Sequence, residues 1–162
     1  MKPTTITLTI NGRKHQPNVE PNTTLLQVLR ELGYTDVKSG CEKGDCGACA
    51  VLLNGDAVNS CLVLALQADG AEVMTNAGLG TLDDPHPIQE AFADAGAVQC
   101  GFCTPGMVVS AKALLDRNPS PTEEEIREAI AGNLCRCTGY AQIVDAVQLA
   151  AQWMSAKTGG ES

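Results

Sequence analysis

Cys41-Glu42-Lys43-Gly44-Asp45-Cys46-Gly47-Ala48-Cys49 sets the terms for the first half of this 162-residue chain. Its spacing is C-x4-C-x2-C, and Cys61 follows as a fourth thiol. This is the plant-type spacing for a [2Fe–2S] cluster. The residues between the cysteines suit that chemistry. An oxidised [2Fe–2S] core carries about +2, and four thiolates bring the site to about −2, so it calls for hydrogen-bond donors. Backbone N–H groups are the donors that can come close. Gly40, Gly44 and Gly47 permit tight curvature and positive φ, which turns successive N–H groups inward as a nest. A helix here would tie those donors up.

Working outward, the flanks read as a small mixed sheet on one helix. Thr5 to Ile10 alternates Thr with Ile or Leu, the period of a half-buried strand. Asn11-Gly12 predicts a hairpin turn, with His15 to Glu20 returning. Leu25, Leu26, Val28, Leu29 and Leu32 form a helical stripe over Thr23 to Leu32, ended by Gly33. Ala50 to Leu53 reads as a strand, with a second Asn54-Gly55 turn leading to Ala57-Val58. Asn76 to Pro87 is rich in Gly, Asp and Pro, which marks a linker. Beyond it the pattern becomes helical. Ile88–Ala97 and Pro105–Asp116 are apolar-periodic, the second with Pro at its start. Thr122-Glu123-Glu124-Glu125 fits a capping box for a helix to about Ala131. A last helix runs from Tyr140 or Ala141 to about Met154. The expected class is α+β, a mixed sheet followed by a small helical bundle.

The helical half holds the other four of the eight cysteines. Cys100-Gly101-Phe102-Cys103 can chelate one iron from a helix start, where the dipole favours thiolate. Cys135-Arg136-Cys137 fits neither a strand, where the two would face opposite sides, nor a helix, where they diverge by about 200°. A disulfide between residues so close would be strained. Gly132 and Gly139 flank the pair, so a loop wrapped around a second metal centre is the economical reading. A tetrahedral four-cysteine zinc site fits the first set poorly, because zinc sites pair two short knuckles. By spacing alone it remains open for the second set. His15 and His86 read as surface residues.

A net charge of −8 argues against a phosphate backbone as partner. Met1-Lys2-Pro3-Thr4-Thr5-Ile6 has no apolar export segment. No window of roughly 18 residues stays apolar enough for membrane insertion. The best, Ala48 to Leu66, is broken by Asn54-Gly55-Asp56 and Asn59-Ser60. The expectation is a soluble, cytoplasmic chain, where clustered cysteines mean metal rather than disulfides.

Three long motifs then carry a resemblance. Cys41-Glu42-x-Gly44-x-Cys46-Gly47-Ala48-Cys49 comes first. Gln99-Cys100-Gly101-Phe102-Cys103-Thr104-Pro105-Gly106-Met107 is the second. Gly132-Asn133-Leu134-Cys135-Arg136-Cys137-Thr138-Gly139-Tyr140 is the third. Together they resemble the iron–sulfur (small) subunit of molybdenum hydroxylases, the xanthine dehydrogenase, aldehyde oxidoreductase and carbon monoxide dehydrogenase family. The resemblance runs from about Thr5 to Ala151.

It implies a ferredoxin-like β-grasp domain (1–76), a linker (77–85) and a four-helix [2Fe–2S]-binding domain (86–162). It also implies a large molybdopterin-binding subunit and a medium FAD-binding subunit as partners. Single electrons would pass from molybdenum through both clusters to the flavin or another acceptor. By the same carry-over, Cys100, Cys103, Cys135 and Cys137 hold the cluster nearest molybdenum. Cys41, Cys46, Cys49 and Cys61 hold the distal one, with Gly44 and Gly47 supplying loop backbone. Gln99 and Cys137 fall where the family contacts the pterin, though Gln99 equally suits a cap for the following helix. With no flavin or molybdenum domain following, a separate subunit of a heteromer is expected. The competing reading is a free-standing two-cluster carrier. A subunit should expose apolar patches around Phe102–Met107 and Tyr140–Ile143, and a carrier should not.

Aromatic residues are only 3% of the chain, so large side chains do little to hold the fold. Metal binding is expected to supply part of the folding free energy. The metal-stripped chain should therefore unfold without a cooperative transition in differential scanning calorimetry. A sharp, reversible melt of the stripped chain would contradict this.

Overall fold

The computed structural model describes residues 2–158; Met1 and residues 159–162, which the expected domain limits include, lie outside it. The first half builds two sheets. Thr4–Thr5 (β1) pairs antiparallel with Asn18–Val19 (β4). The larger, five-stranded sheet uses Leu8–Ile10 (β2), Arg13–His15 (β3), Ala50–Leu53 (β5), Asp56–Asn59 (β6) and Glu72–Met74 (β7), in the order β3-β2-β7-β5-β6. Only β2 and β7 run parallel. Both predicted Asn-Gly turns are present, with φ of 49° and 76° at Asn11 and Gly12 and 51° and 93° at Asn54 and Gly55.

Two strand expectations need correction. The Thr5–Ile10 strand and its return are each split in two. Pro17 has no N–H to continue the β3 ladder, and its carbonyl instead accepts from Ile6 N–H at 3.1 Å. At the same place Thr7 N–H turns aside to Asp69 Oδ1, 2.7 Å away. The central strand β7 was not foreseen, since three residues are too few to show a period.

Leu25–Glu31 (α1) lies across this sheet. Thr24 caps it, accepting from Gln27 N–H while the Gln27 side chain returns to Thr24 N–H. Its stripe of Leu25, Leu26, Val28 and Leu29 is buried with Leu8, Ile10, Val51 and Val73. The chain then makes a short helix, Asn76–Leu79 (α2), inside the expected linker.

The second half is helical: Pro87–Asp94 (α3), Thr104–Arg117 (α4), Glu123–Ile130 (α5) and Ala141–Thr158 (α6). The helix expected at Ile88–Ala97 stops early, at Asp94, before Gly96 with its φ of 65°. The last helix runs a turn beyond Met154, because no Gly or Pro intervenes. Thr122 caps α5 as predicted, and its contacts hold the Glu125 carboxyl below the usual range. Helix α3 packs on α6 and α4, and α5 packs on α4 and α6. Their core holds Phe92, Met107, Leu115, Ile126, Ile143 and Val147.

Helix α4 also packs on β5, where Val109 and Ala113 meet Ala50 and Leu52. The seam is tighter still at one end. A Cβ on Gly106 would fall 2.4 Å from the Gly47 carbonyl oxygen. Buried Asn133 donates from Nδ2 to that same oxygen at 3.0 Å and accepts from Ser110 Oγ at 2.8 Å. Asn133→Ala removes the partner of both groups in a buried seam and should cost about 1–3 kcal/mol. The urea midpoint of the metal-loaded chain should fall accordingly. Gly106→Ala should destabilise too, because the clash is with backbone.

Candidate metal centres

The first four thiols gather at one end of the sheet. Residues 41–49 form no helix or strand until β5 begins at Ala50. Positive φ falls at Glu42 (56°), Gly44 (87°) and Gly47 (67°), not at Gly40. Gly40 is small for a different reason: a Cβ there would lie 2.9 Å from Cys46 Sγ. Glu42 is held in place by a hydrogen bond from the Ser39 hydroxyl.

The turned backbone supplies the donors the sequence called for. The Lys43 N–H is the strongest influence on Cys41, lowering its thiol from 9.0 to about 7; Cys46 and the N–H groups of Cys46 and Asp45 assist. The Asp45 N–H lies 3.3 Å from Cys41 Sγ. Cys61 behaves oppositely. Burial, then contact with Cys49, pushes it up to about 11, although Gly44 N–H donates to it. Asn59 Nδ2 donates to the Gly44 carbonyl at 3.2 Å, and Ser60 Oγ to the Cys49 carbonyl at 2.8 Å. These two bonds tie the loop to the last residue of β6 and the one after it.

The second four thiols gather where α4 begins and the α5–α6 loop passes. Cys103 is the residue before α4, and no side chain caps that helix. The α3–α4 connection turns through Gly101 (φ 80°), and the α5–α6 loop through Gly139 (67°) and Tyr140 (73°). Each of the two thiols at the start of α4 has a thiol of the α5–α6 loop as its nearest sulfur partner: Cys100 Sγ lies 3.6 Å from Cys137 Sγ, and the Cys103 thiol hydrogen-bonds with that of Cys135. Burial pushes Cys103 up to about 12, and the Cys135 bond adds to it. Burial works against Cys135 as well, yet Thr138 and the N–H groups of Cys137 and Thr138 hold it down at about 7. Cys137 is raised, first by its bond to Cys100.

The two sets are joined across the seam by the Leu134 N–H, which donates to the Cys46 carbonyl at 2.9 Å. Pairs are what the chain brings together: Cys41 with Cys46, Cys49 with Cys61, Cys100 with Cys137 and Cys103 with Cys135. A binuclear core spreads its four thiolates over two irons, so four such pairs in two places fit two [2Fe–2S] clusters.

Comparison with known proteins agrees. A 2Fe-2S iron-sulfur cluster binding domain matches residues 8–77, and a [2Fe-2S] binding domain matches residues 75–148. The nicotinate dehydrogenase small FeS subunit of Eubacterium barkeri is 52% identical over 153 residues, covering 94% of this chain and 98% of that one. The chain belongs to the iron–sulfur small subunits of the molybdenum hydroxylases. The xanthine dehydrogenase iron-sulfur-binding subunit of Escherichia coli O157:H7 is 49% identical over 145 residues, covering 88% of this chain and 91% of its own length. The quinoline 2-oxidoreductase structure from Pseudomonas putida 86 aligns over 100% of both chains, with TM-score 0.90 and 42% identity.

Within this iron–sulfur subunit, Cys100 and Cys137 are exposed and Cys49 and Cys61 are buried. Gln99 is exposed, and its alternative role as a cap for α4 is not seen. The expected apolar patches are only partly there. Phe102 is 47% exposed, but Met107 and Ile143 are buried, the latter inside the α3–α6 core. The exposed apolar residues near the second set are Val98, Phe102 and Leu134. Thr138, Tyr140 and Asn59 were missed as functional neighbours. For the first two the signal was present, since both stand beside the Cys135-x-Cys137 pair.

Cys137→Ser should remove one cluster and leave the other. Iron should drop by about half and one of two electron paramagnetic resonance signals should vanish. Two unchanged signals would remove Cys137 from the ligand set.

Proposed function

We propose that this subunit passes single electrons between a molybdopterin-bearing large subunit and a flavin or other acceptor. Cys41, Cys46, Cys49 and Cys61 hold one [2Fe–2S] cluster, and Cys100, Cys103, Cys135 and Cys137 hold the other. When bound, each cluster takes up and releases one electron. The chain's part is to fix the clusters, shield one and present the other. The observation that carries this reading is the pair of four-thiol groups on either side of the Cys46–Leu134 hydrogen bond.

The second set faces the large subunit in this reading, and the first faces the flavin subunit. Support comes from exposed Cys100 and Cys137 and from the exposure of their chain neighbours Val98, Gln99, Phe102 and Leu134. Apolar side chains around an exposed redox site suit a fixed neighbour better than a diffusing carrier. Gln99 and Cys137 are the residues we assign to the pterin contact. Gly44 and Gly47 supply loop backbone around the first cluster.

The same reading divides the chain into a β-grasp domain (1–76), a linker (77–85) and a four-helix bundle (86–162). The two separate cores and the closed ring of contacts among α3, α4, α5 and α6 support it. Among the described residues, no helix is long and apolar enough to cross a membrane. We place the complex in the cytoplasm, where eight free thiols suit a reducing environment.

Anaerobic purification of the tagged chain from its own host tests this. The expected result is a large subunit with molybdenum and about four irons per copy of this chain. A lone iron–sulfur protein without partner would favour the free carrier, and zinc in place of iron would overturn both.

A further inference from the structure

The loop carrying Cys135 and Cys137 closes on itself through Thr138 and Tyr140. Thr138 Oγ1 lies 3.2 Å from Cys135 Sγ, and the Thr138 N–H reaches the same sulfur at 3.5 Å. The Tyr140 N–H donates to Thr138 Oγ1 at 3.3 Å. That occupies a lone pair of the hydroxyl and leaves its proton directed to the sulfur. A hydroxyl that accepts one hydrogen bond is polarised into a better donor for the next.

Tyr140 reaches this position only in the left-handed region, with φ of 73°. A bulky residue adopts that conformation where its surroundings hold it there. Both ends of Tyr140 are engaged: its N–H by Thr138, and its phenol oxygen by the Cys135 N–H at 2.9 Å. The first set is served differently. Cys41 takes its donors from the backbone of Lys43, Asp45 and Cys46, and Cys61 from that of Gly44. Backbone donors survive any side-chain change, whereas the Thr138 hydroxyl can be removed alone.

We propose that Thr138 is a positioning residue that sets the reduction potential of the second cluster through its hydroxyl bond to Cys135 Sγ. The proposal rests on Cys135 being a ligand, as argued above. One electron enters the cluster on reduction and the proton stays on Thr138. Reduction adds negative charge, which a donor to the ligand sulfur stabilises, so the bond raises the potential. Removing it makes that cluster harder to reduce.

The test is a redox titration of the intact complex, followed by electron paramagnetic resonance so that each cluster is read separately. Thr138→Val and Thr138→Ala should shift one cluster to more negative potential and leave the other in place. Thr138→Ser should restore the original value. Unchanged potentials in Val and Ala, or equal shifts in both clusters, overturn the proposal. So does loss of iron in Val and Ala with retention in Ser, which makes the hydroxyl a structural brace. Cys135→Ser, assayed for iron and signals, tests the assignment beneath it. Full iron and both signals in that variant would remove the ligand, whatever the Thr138 variants show.

Discussion

At Gly47 two backbones meet with no side chain between them, and the relation of the two halves depends on that contact. The carbonyl of Gly47 lies where a Cβ on Gly106 would stand, and a Cβ on Gly47 would lie 2.4 Å from the Gly132 carbonyl. Asn133 fills the remaining space and satisfies the buried oxygen. The residues on either side of this contact are candidate ligands: Cys46 and Cys49 on one strand of the seam, Cys103 and Cys135 on the others. The contact that joins the halves therefore also fixes the distance between the two thiol groups. Packing between α4 and β5 broadens the seam, where Ala50 and Ala113 stand beside the larger Leu52 and Val109. The two alanines let the backbones approach, which larger side chains would prevent.

Each thiol group solves the same electrostatic problem with a different mix of means. Four thiols in one place resist joint ionisation, and burial makes this worse for Cys61 and Cys103. Backbone donors favour the ionised form at Cys41, and backbone plus Thr138 do so at Cys135. Each group thus holds one sulfur biased toward thiolate and one biased strongly against it. A bound cation reverses the balance for the reluctant member. The protein supplies curvature and donors; the remaining charge compensation has to come from iron.

The sequence made the ligands legible because a cluster needs fixed residue types at fixed gaps. Cys41, Cys46 and Cys49 stand close enough for their spacing to be diagnostic, and Asn11-Gly12 and Asn54-Gly55 announce their turns through positive φ. Other features depended on contacts far apart in sequence. Gly40 looked like a conformational glycine and is in fact a steric one, visible only once Cys46 Sγ stands beside it. The closeness of Cys100 to Cys137 depends on how α4 meets the α5–α6 loop, which local spacing does not encode. Strand β7 and helix α2 are too short to carry a period. Tyr140 takes a backbone conformation usually left to glycine, held by bonds to its own loop.

The second set is split between two distant motifs. Because bridging sulfide would join the two irons, a cluster held by all four thiols would tie the start of α4 to the loop before α6, whichever thiols shared an iron. It would cross-link residues more than thirty apart in sequence, closing a loop that contains all of α4 and α5. Closing a long loop constrains the unfolded chain more than closing a short one. The first set, confined to residues 41–61, cross-links less chain but sits against a sheet core that already holds Leu8, Val51 and Val73. Metal is thus placed to stabilise most the half that has no sheet to rely on.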